Sequence, residues 1–285
     1  MAKYHPIVIL LFFFGVTSIT LLSMHPVYLV ISFGVACPLY VSMIKTWLGK
    51  SLLIYGSLFF SIALVNPLIS QEGDQILFTL GSRVITLEAV CYGMVIAVML
   101  IAVLLWFSCY NEIMTADKFL DVFGKLVPTF ALTVIITLRL VPRFQQQLQK
   151  IVVAQKAIGL DYRTGSIRDR LLCIVRMLSI LMTWALENAV ETADVMKARG
   201  YGLPGKSTFS NYTFHNRDRL FLFIFSVLFL INVVGFIRGT AQFTFYPTLS
   251  ALTFSEEGII SVISFLMLCS LPVVVEIKER MKWRY

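Results

Sequence analysis

Two similar tetrapeptides mark the stretch on which the organisation of this chain depends: Lys156-Ala157-Ile158-Gly159 and, 41 residues later, Lys197-Ala198-Arg199-Gly200. Each closes a helical pattern and places a glycine at the C′ position, the residue just after a helix, where a left-handed backbone is common. Both lie within residues 139–219, which hold 13 of the 24 lysines and arginines. This stretch is too charged to cross a bilayer, although the runs on either side are long enough. We interpret it as a cytoplasmic platform carried by a membrane protein.

The composition indicates that lipid is the main solvent of the chain. Hydrophobic residues make up 58% of the 285 residues, charged residues only 14%, and the mean hydropathy is +0.82. A soluble domain has about 25% charged residues. The net charge of +8 fits basic residues that flank apolar spans, which is the ordinary pattern of membrane topology. Nucleic-acid binding is therefore not predicted.

The cysteines and histidines do not indicate a metal site or a disulfide framework. The five cysteines are scattered, no C-x-x-C motif occurs, and the three histidines lie far apart in the sequence. We expect the cysteines to be packing residues, and we predict no metal site in this chain.

Six apolar runs predict six membrane spans. They cover residues 7–22, 27–44, 51–65, 84–110, 220–237 and 258–275. Glu88 is the only charge in the fourth run, and a carboxylate in the first turn of a helix is favoured by the helix dipole. Residues 126–138 form a shorter uncharged run of 13 residues, which cannot cross about 30 Å at 1.5 Å per residue. We expect a helix at the interface or in a core there.

The loop charges predict the orientation. With the N-terminus inside, the short inner segments hold Lys3, Lys45, Lys50 and the four basic residues of the tail, whereas the outer loops hold only Arg83 and Arg238. Basic residues are retained on the cytoplasmic side. We therefore predict that both termini are cytoplasmic, with membrane helices in 1–110, a cytoplasmic or interfacial segment in 111–219, and membrane helices with a basic tail in 220–285.

Two amphipathic helices are predicted within the platform, the first from about Arg139 to Gly159 and the second from about Ser166 to Gly200. Glu187, Glu191 and Asp194 recur at i+4 and i+3, so they share one face of the second helix. They form either a solvated face with weak pairs or a support for Lys197 and Arg199. Arg199 itself either interacts with the helix dipole or presents its planar fork of donors to a carboxylate-lined groove in a partner.

One match to a known motif is rejected. Residues 200–207 fit G-x-x-x-x-G-K-[ST], the phosphate-binding loop of nucleotide hydrolases. That loop needs a strand before it and a helix that opens at its Lys-Ser. Here a long helix precedes the match and a loop pattern follows it, so we interpret it as chance.

Several sequence features together suggest a family. They are His25-Pro26, Asn66-Pro67, Arg139-Leu140-Val141-Pro142 and, above all, the two helix ends. The chain resembles the transmembrane T component of energy-coupling factor (ECF) transporters, which take up vitamins and transition-metal ions such as cobalt. In that family each coupling helix ends in an Ala-Arg-Gly motif whose arginine docks into a groove of one of two ATPase subunits. The second motif is intact, whereas Ile158 stands where the first would have arginine. Either Lys156 replaces that arginine, or docking at this end is weaker or apolar.

The resemblance implies an all-α, polytopic membrane protein with about six transmembrane helices and a cytoplasmic pair of long amphipathic coupling helices. It implies three kinds of partner in a bacterial cell membrane: two ABC-type ATPase subunits that bind the ATP, a small substrate-binding S subunit, and the bilayer. The chain would be a non-catalytic subunit with no catalytic residue and no cofactor of its own, and it would transmit ATPase motion to the S subunit. The implied docking residues are Lys156, Ala157, Ile158, Gly159, Lys197, Ala198, Arg199 and Gly200, with Glu187, Glu191 and Asp194 as a supporting acidic face.

Three other functions stay open at this point. The permease of a conventional ABC importer also couples to ATPases, but it would typically have one coupling helix per chain. A membrane-embedded enzyme would need clustered His, Asp or Cys residues at the membrane face. Broken helices in paired halves would favour a channel or a secondary transporter, and no inverted repeat is evident.

Overall fold

The computed structural model describes residues 4–43, 48–69, 73, 75–80, 83–124, 127–203, 212–239, 243–246 and 256–282. Within these residues the elements in chain order are α1 (Pro6–Leu22), α2 (Pro26–Met43), α3 (Leu48–Ile69), β1 (Ile76–Leu80), β2 (Arg83–Thr86), α4 (Leu87–Ile113), α5 (Ala116–Gly124), α6 (Pro128–Ala157), α7 (Ile167–Ala198), α8 (Asn216–Ile237) and α9 (Glu256–Lys282). The prediction of an all-α fold is confirmed, because the only strands in the described part of the chain form one short hairpin.

The contacts divide the chain into two compact units. Unit 1 comprises Met1–Phe119 and Tyr212–Tyr285, and unit 2 comprises Leu120–Asn211. Unit 1 therefore contains α1 to α4, α8 and α9, while unit 2 contains α6 and α7. The sequence predicts a division of membrane helices from a cytoplasmic or interfacial segment at residues 110 and 220. Contacts within the chain do not test that division, so it stays a prediction.

Large aromatic side chains from three helices lie in the core of unit 1. Phe12 of α1, Trp106 of α4 and Phe265 of α9 are fully buried. The rings of Phe12 and Trp106 lie 6.2 Å apart in an edge-to-face arrangement, which aromatic pairs favour. The indole N–H of Trp106 donates to the Ser32 hydroxyl at 2.9 Å. This buried polar group therefore has the partner that its burial requires.

Two His-Pro pairs begin the first two helices. The imidazole Nδ1 of His5 accepts the backbone N–H of Ile7 at 3.3 Å, and the Nδ1 of His25 accepts that of Val27 at 3.3 Å. Proline at the first helical position has no N–H to satisfy, and its φ suits the helix. Burial lowers the pKa of His25, which favours the neutral ring that this cap needs. Thus His25-Pro26 is a helix start.

The start of α4 is organised around Glu88. The side chain is 1% exposed, and both of its carboxylate oxygens lie 3.3 Å from the backbone N of Gln75. Thr86 caps the helix by accepting the N–H of Ala89 at 3.4 Å. Glu88 therefore lies in the first turn of α4 and joins it to the segment that leads into β1. The hairpin of β1 and β2 was not predicted, and it moves the start of the fourth helix from residue 84 to Leu87.

The first coupling helix was predicted wrongly at its start. The run 126–138 was expected to form a separate helix, with the coupling helix beginning near Arg139. The structure instead has one helix of 30 residues, α6, from Pro128 to Ala157, with Pro142 inside it. Proline at the first helical positions starts α6 where its missing N–H is not needed. The second amphipathic helix of the predicted pair, α7, begins after Ser166 and ends before Gly200, as predicted.

The structure supports a multi-pass membrane protein. In the described residues five helices are long and apolar enough to cross a membrane: α2, α4, α7, α8 and Glu256–Lys278 of α9. Two shorter apolar helices are α1 and Leu53–Ile69 of α3. The sequence prediction had excluded α7 because both of its ends are charged, but the central residues 171–186 contain a single charge, Arg176. The placement of α7 on the cytoplasmic side therefore stays a prediction.

Candidate coupling site at the ends of α6 and α7

The two tetrapeptides end their helices with the same backbone motif. At the end of α6, the N–H of Gly159 donates to the Lys156 carbonyl at 3.1 Å, and the N–H of Leu160 donates to the Gln155 carbonyl at 3.0 Å. Gly159 has φ +81°, in the left-handed region. These two bonds define a Schellman motif, which satisfies carbonyls that the helix end leaves without a partner.

The end of α7 repeats this motif. The N–H of Gly200 donates to the Lys197 carbonyl at 2.9 Å, and the N–H of Tyr201 donates to the Met196 carbonyl at 3.0 Å. Gly200 has φ +78°. The prediction that both glycines occupy C′ positions is confirmed. It follows that Ile158 and Arg199 occupy the same position, the C-cap, in two equivalent backbones.

Both C-cap side chains are open to the surroundings. Ile158 is 67% exposed, and Arg199 is exposed as well. No carboxylate in the described part of the chain lies within 4.0 Å of the Arg199 guanidinium. The remaining residues of the two tetrapeptides are also exposed, except Gly200, which is half-buried. Both ends are therefore accessible to a partner.

The pairing of α6 with α7 places the two ends far apart. Phe144 of α6 lies 5.6 Å from Trp184 of α7 between ring centroids, while Ile151 packs with Cys173 and Met177. Later residues of α6 thus meet earlier residues of α7, so the helices are antiparallel. The end of α6 lies near Cys173, since the Cys173 Sγ is 3.6 Å from the Leu160 carbonyl. At 1.5 Å per residue, the end of α7 is then about 40 Å away.

Contacts that the sequence did not reveal hold the loop between α6 and α7. The Lys156 ammonium lies 3.8 Å from the Asp161 carboxylate, and the Arg170 Nε donates to the Tyr162 carbonyl at 2.9 Å. The side chains of Leu160 and Tyr162 pack against the buried cluster of Ile151, Cys173 and Met177. Polar and apolar residues follow each other irregularly in this loop, so the sequence offers no pattern that predicts these contacts.

Glu187, Glu191 and Asp194 form an exposed row, here called the acidic row, along the last turns of α7. Among the described residues no ion pair within 4.0 Å joins the acidic row to Lys197 or Arg199. The structure thus brings these acids onto one face, as their spacing indicates, but leaves them in solvent. Their proposed support of Arg199 stays a prediction.

The centre of α7 is apolar on two opposite sides. One side carries Cys173, Met177, Leu181 and Trp184, which pack towards α6. The other side, here called the apolar stripe, is exposed and consists of Leu171, Val175, Leu178, Met182 and Leu186. At 3.6 residues per turn these five side chains share one face. An exposed stripe of this size indicates contact with lipid or with another protein.

The rejected phosphate-loop match lies only partly within the described residues. Gly200 follows a long helix, α7, and not a strand. Residues 204–207, which include the lysine and serine of the match, lie outside the described residues. The described half therefore lacks the strand that a phosphate-binding loop requires.

One cavity in unit 1 bears on transport. It has a volume of about 520 Å³ and lies between α2, α3 and α4. The Tyr40 hydroxyl donates to Ser51 at 2.8 Å on its wall, and the Tyr55 and Ser108 hydroxyls are 3.0 Å apart. The described residues that line it carry no charge. It therefore lacks the charged groups that mark an ion path within a membrane.

Comparison with known proteins identifies the family. The family model described as CbiQ, cobalt transport protein, matches residues 3–211. The chain belongs to this family. The matched range includes both Schellman ends of this CbiQ-family chain, together with α1 to α7.

The relatives carry names of the same kind of protein. The chain is 32% identical over 114 residues to the energy-coupling factor transporter transmembrane protein EcfT of Bacillus subtilis. This match covers 40% of the chain and 42% of the relative. It is 34% identical over 116 residues to the EcfT of Exiguobacterium sibiricum, with 40% and 43% covered. An uncharacterized protein of Mycoplasma genitalium, MG181, is 33% identical over 114 residues, with 40% and 27% covered. The matched part thus spans less than half the length of each of these relatives. These matches support the interpretation of this chain as a transmembrane component of an ECF transporter.

Proposed function

We propose that this CbiQ-family chain is the energy-coupling subunit of an ATP-driven importer. Its α6 and α7 would transmit the motion of two ATPase subunits to a separate S subunit that binds the substrate. The observation that carries this proposal is the pair of equivalent helix ends, about 40 Å apart on one antiparallel helix pair. Two like ends on one helix pair suit a partner that offers two docking grooves.

The proposed mechanism is mechanical. Each ATPase subunit holds one helix end, so closure of the ATPases on ATP moves both ends of the helix pair together. A helix transmits such a displacement because its backbone bonds make it stiff along its axis. ATP is bound by the ATPase subunits, and this chain contributes no catalytic group.

The apolar stripe of α7 is the surface that we assign to the S subunit. It faces away from α6, and its side chains are between 49% and 69% exposed. The opposite side of α7, which carries Cys173 and Met177, already packs against α6. A second membrane protein with an apolar surface would bury the stripe. Motion of α7 would then be transmitted directly to that protein. The substrate, a vitamin or a transition-metal ion such as cobalt, would be held by that S subunit.

The test is purification of the tagged full chain in mild detergent, followed by mass spectrometry of the proteins that accompany it. Two ABC-type ATPases and a small membrane protein support the proposal. We expect Arg199→Glu to reduce ATPase retention at least tenfold, because it reverses the charge at a docking tip.

The matched control is Arg176→Glu, which reverses an exposed arginine of the same helix about 34 Å from that tip. It should retain the ATPases. Purification of the wild-type chain alone, monodisperse and in good yield, would contradict the proposal and favour a self-contained membrane transporter or enzyme. Equal retention by the wild-type chain and Arg199→Glu would remove Arg199 from the docking site.

A further inference from the structure

The cavity of about 520 Å³ in unit 1 is a groove, here called the α2–α3 groove. Its floor is α4, and its walls are α2 from Phe33 to Val41 and α3 from Ser51 to Phe59. Both walls pack along α4, but in the described part of the chain they make little contact with each other. Packing within unit 1 therefore leaves a space between two neighbouring apolar helices.

The α2–α3 groove is open at the surface of the apolar part of unit 1. Phe33 and Val41 on the α2 wall are exposed. On the α3 wall, no atom outside its own segment lies within 4 Å of a Cβ added at Gly56. Since α2 and α4 are long and apolar enough to cross a membrane, the surroundings of this opening are hydrocarbon. An apolar space of this kind does not hold ordered water.

The dimensions of the α2–α3 groove fit an acyl chain better than a helix. Its walls, from Phe33 to Tyr40 and from Ser51 to Phe59, are about 10–12 Å long at 1.5 Å per residue. A helix segment of that length, about 10 Å in diameter, fills about 900 Å³. The groove has a volume of about 520 Å³. A second helix is therefore too wide for it, whereas a narrow chain of methylene groups can lie along it.

Hydroxyl groups close one end of the α2–α3 groove. The Tyr40 hydroxyl donates to the Ser51 Oγ at 2.8 Å, and the rings of Tyr40 and Tyr55 meet edge to face with centroids 5.9 Å apart. Because Ser51 accepts this bond, its own hydroxyl hydrogen can donate to a further acceptor, such as an ester carbonyl. An apolar groove with a polar end matches the border between the acyl chain and the headgroup of a phospholipid.

The same end is positively charged. Lys50 directly precedes Ser51 and is the only charged residue of α3. Residues 1–71 contain three lysines, no arginine and no acid. Basic residues between membrane helices attract anionic lipid headgroups. The charge at this end thus favours an anionic phospholipid over a zwitterionic one.

We propose that the α2–α3 groove binds one acyl chain of an anionic phospholipid, whose headgroup lies at the Lys50 end. The chain fills the space that packing leaves between α2 and α3, so this lipid is a bound ligand of unit 1 and not one of the lipids that exchange freely around it. The inference goes beyond the proposed function, because it concerns unit 1 alone and involves neither ATPases nor an S subunit.

Native mass spectrometry of the full chain tests this binding. The chain, purified in mild detergent, is incubated with an equimolar mixture of phosphatidylglycerol and phosphatidylcholine, and the retained lipids are identified by mass. We expect one phosphatidylglycerol per wild-type chain. Gly56→Leu should lower the retained fraction at least tenfold, because the new side chain replaces several buried methylene groups of the lipid. The matched control is Ser57→Leu, at an adjacent exposed position outside the groove, which should retain the lipid.

A second block acts on the folded protein and so does not depend on the folding of Gly56→Leu. Cys37 lines the α2 wall and is half-buried. In a chain whose other four cysteines are replaced by alanine, alkylation of Cys37 with N-ethylmaleimide should displace the lipid. Conversely, saturation with phosphatidylglycerol should slow this alkylation at least tenfold, because the acyl chain covers the thiol.

The headgroup is tested separately. Lys50→Gln should remove the preference for phosphatidylglycerol over phosphatidylcholine, because it removes the charge of α3 at that end. Arg219→Gln is the matched control, since Arg219 is an exposed basic residue at the start of α8, on the same predicted side of the membrane. It should keep the preference.

A change in stability distinguishes the bound lipid from surface lipids. Phosphatidylglycerol should raise the melting temperature of the wild-type chain in detergent but not that of Gly56→Leu, because a ligand stabilises only the state that binds it. Wild-type retention of lipid by both Gly56→Leu and the alkylated chain would indicate surface lipids only and overturn the proposal. Equal retention of the two lipids by the wild-type chain would overturn the anionic headgroup. If Gly56→Leu lost an accompanying membrane protein instead of a lipid, the occupant would be a protein and the proposal would be wrong.

Discussion

At the scale of single residues, Gly15 shows how closely the helices of unit 1 approach each other. A Cβ at this position of α1 would lie 2.6 Å from Cζ of Phe225 and 3.3 Å from Cδ2 of Phe229, both on α8. Phe225 is itself buried, so its ring has little room to move. The glycine is needed for space, not for its backbone freedom.

We expect Gly15→Ala to destabilise unit 1 by about 1–3 kcal/mol, the usual cost of overpacking. Thermal unfolding in detergent measures this loss. Gly34→Ala is the matched control, because Gly34 also lies within a helix and no atom outside its own segment lies within 4 Å of the added Cβ. Alanine there should be neutral or stabilising by up to about 1 kcal/mol. Equal melting temperatures for the two variants would contradict the close contact of α1 with α8.

At the scale of elements, the ends of helices were easier to predict than their beginnings. A glycine after an apolar repeat is a local signal, and it located the ends of both α6 and α7. The start of α6 was missed because its first residues are uncharged and its later ones polar, so the change of pattern near Arg139 looked like a boundary. The hairpin of β1 and β2 was missed because its strands have only five and four residues, too few for a clear alternation.

The left-handed glycines give an element-scale prediction. Gly159→Ala should cost about 1–2 kcal/mol, because an L-residue resists φ near +81° even where space is open around it. Hydrogen exchange should detect this destabilisation as faster exchange of the Leu160 amide, whose hydrogen bond to the Gln155 carbonyl closes the Schellman motif. Gly56→Ala in α3, which has open space and no left-handed backbone, should leave exchange in α6 unchanged. Unchanged exchange at Leu160 in Gly159→Ala would contradict the capping role.

At the scale of the whole molecule, hydropathy and length predict the class of fold, because lipid imposes apolar helices of a minimum length. They do not separate α7 from a membrane span, since its apolar centre, with Arg176 as its single charge, lies in a helix that satisfies the same criterion. The docking role that we propose for the helix ends likewise depends on partners, and no pattern within one chain contains the surface of another. The resemblance to a family supplied that part of the hypothesis.

Orientation is the whole-molecule prediction. In a chain without native cysteines, Thr164→Cys marks the α6–α7 loop and Thr244→Cys marks the segment between α8 and α9; both positions are exposed. In intact cells a membrane-impermeant maleimide should label Thr244→Cys and spare Thr164→Cys, because basic residues retain the α6–α7 side in the cytoplasm. Permeabilised cells should label both. Labelling of Thr164→Cys from outside would reverse the orientation and place the helix ends out of reach of cytoplasmic ATPases.

The small contact between α6 and α7 has a consequence for the lifetime of the protein. Their shared cluster contains three buried side chains, while the apolar stripe on the other side of α7 is open. Whatever covers that stripe stabilises the helix pair by mass action. In the proposed complex, copies made in excess of their partners would open more often, and proteases remove proteins from the open state. Turnover would then match the amount of this chain to the supply of the subunits around it, without any separate control of its synthesis.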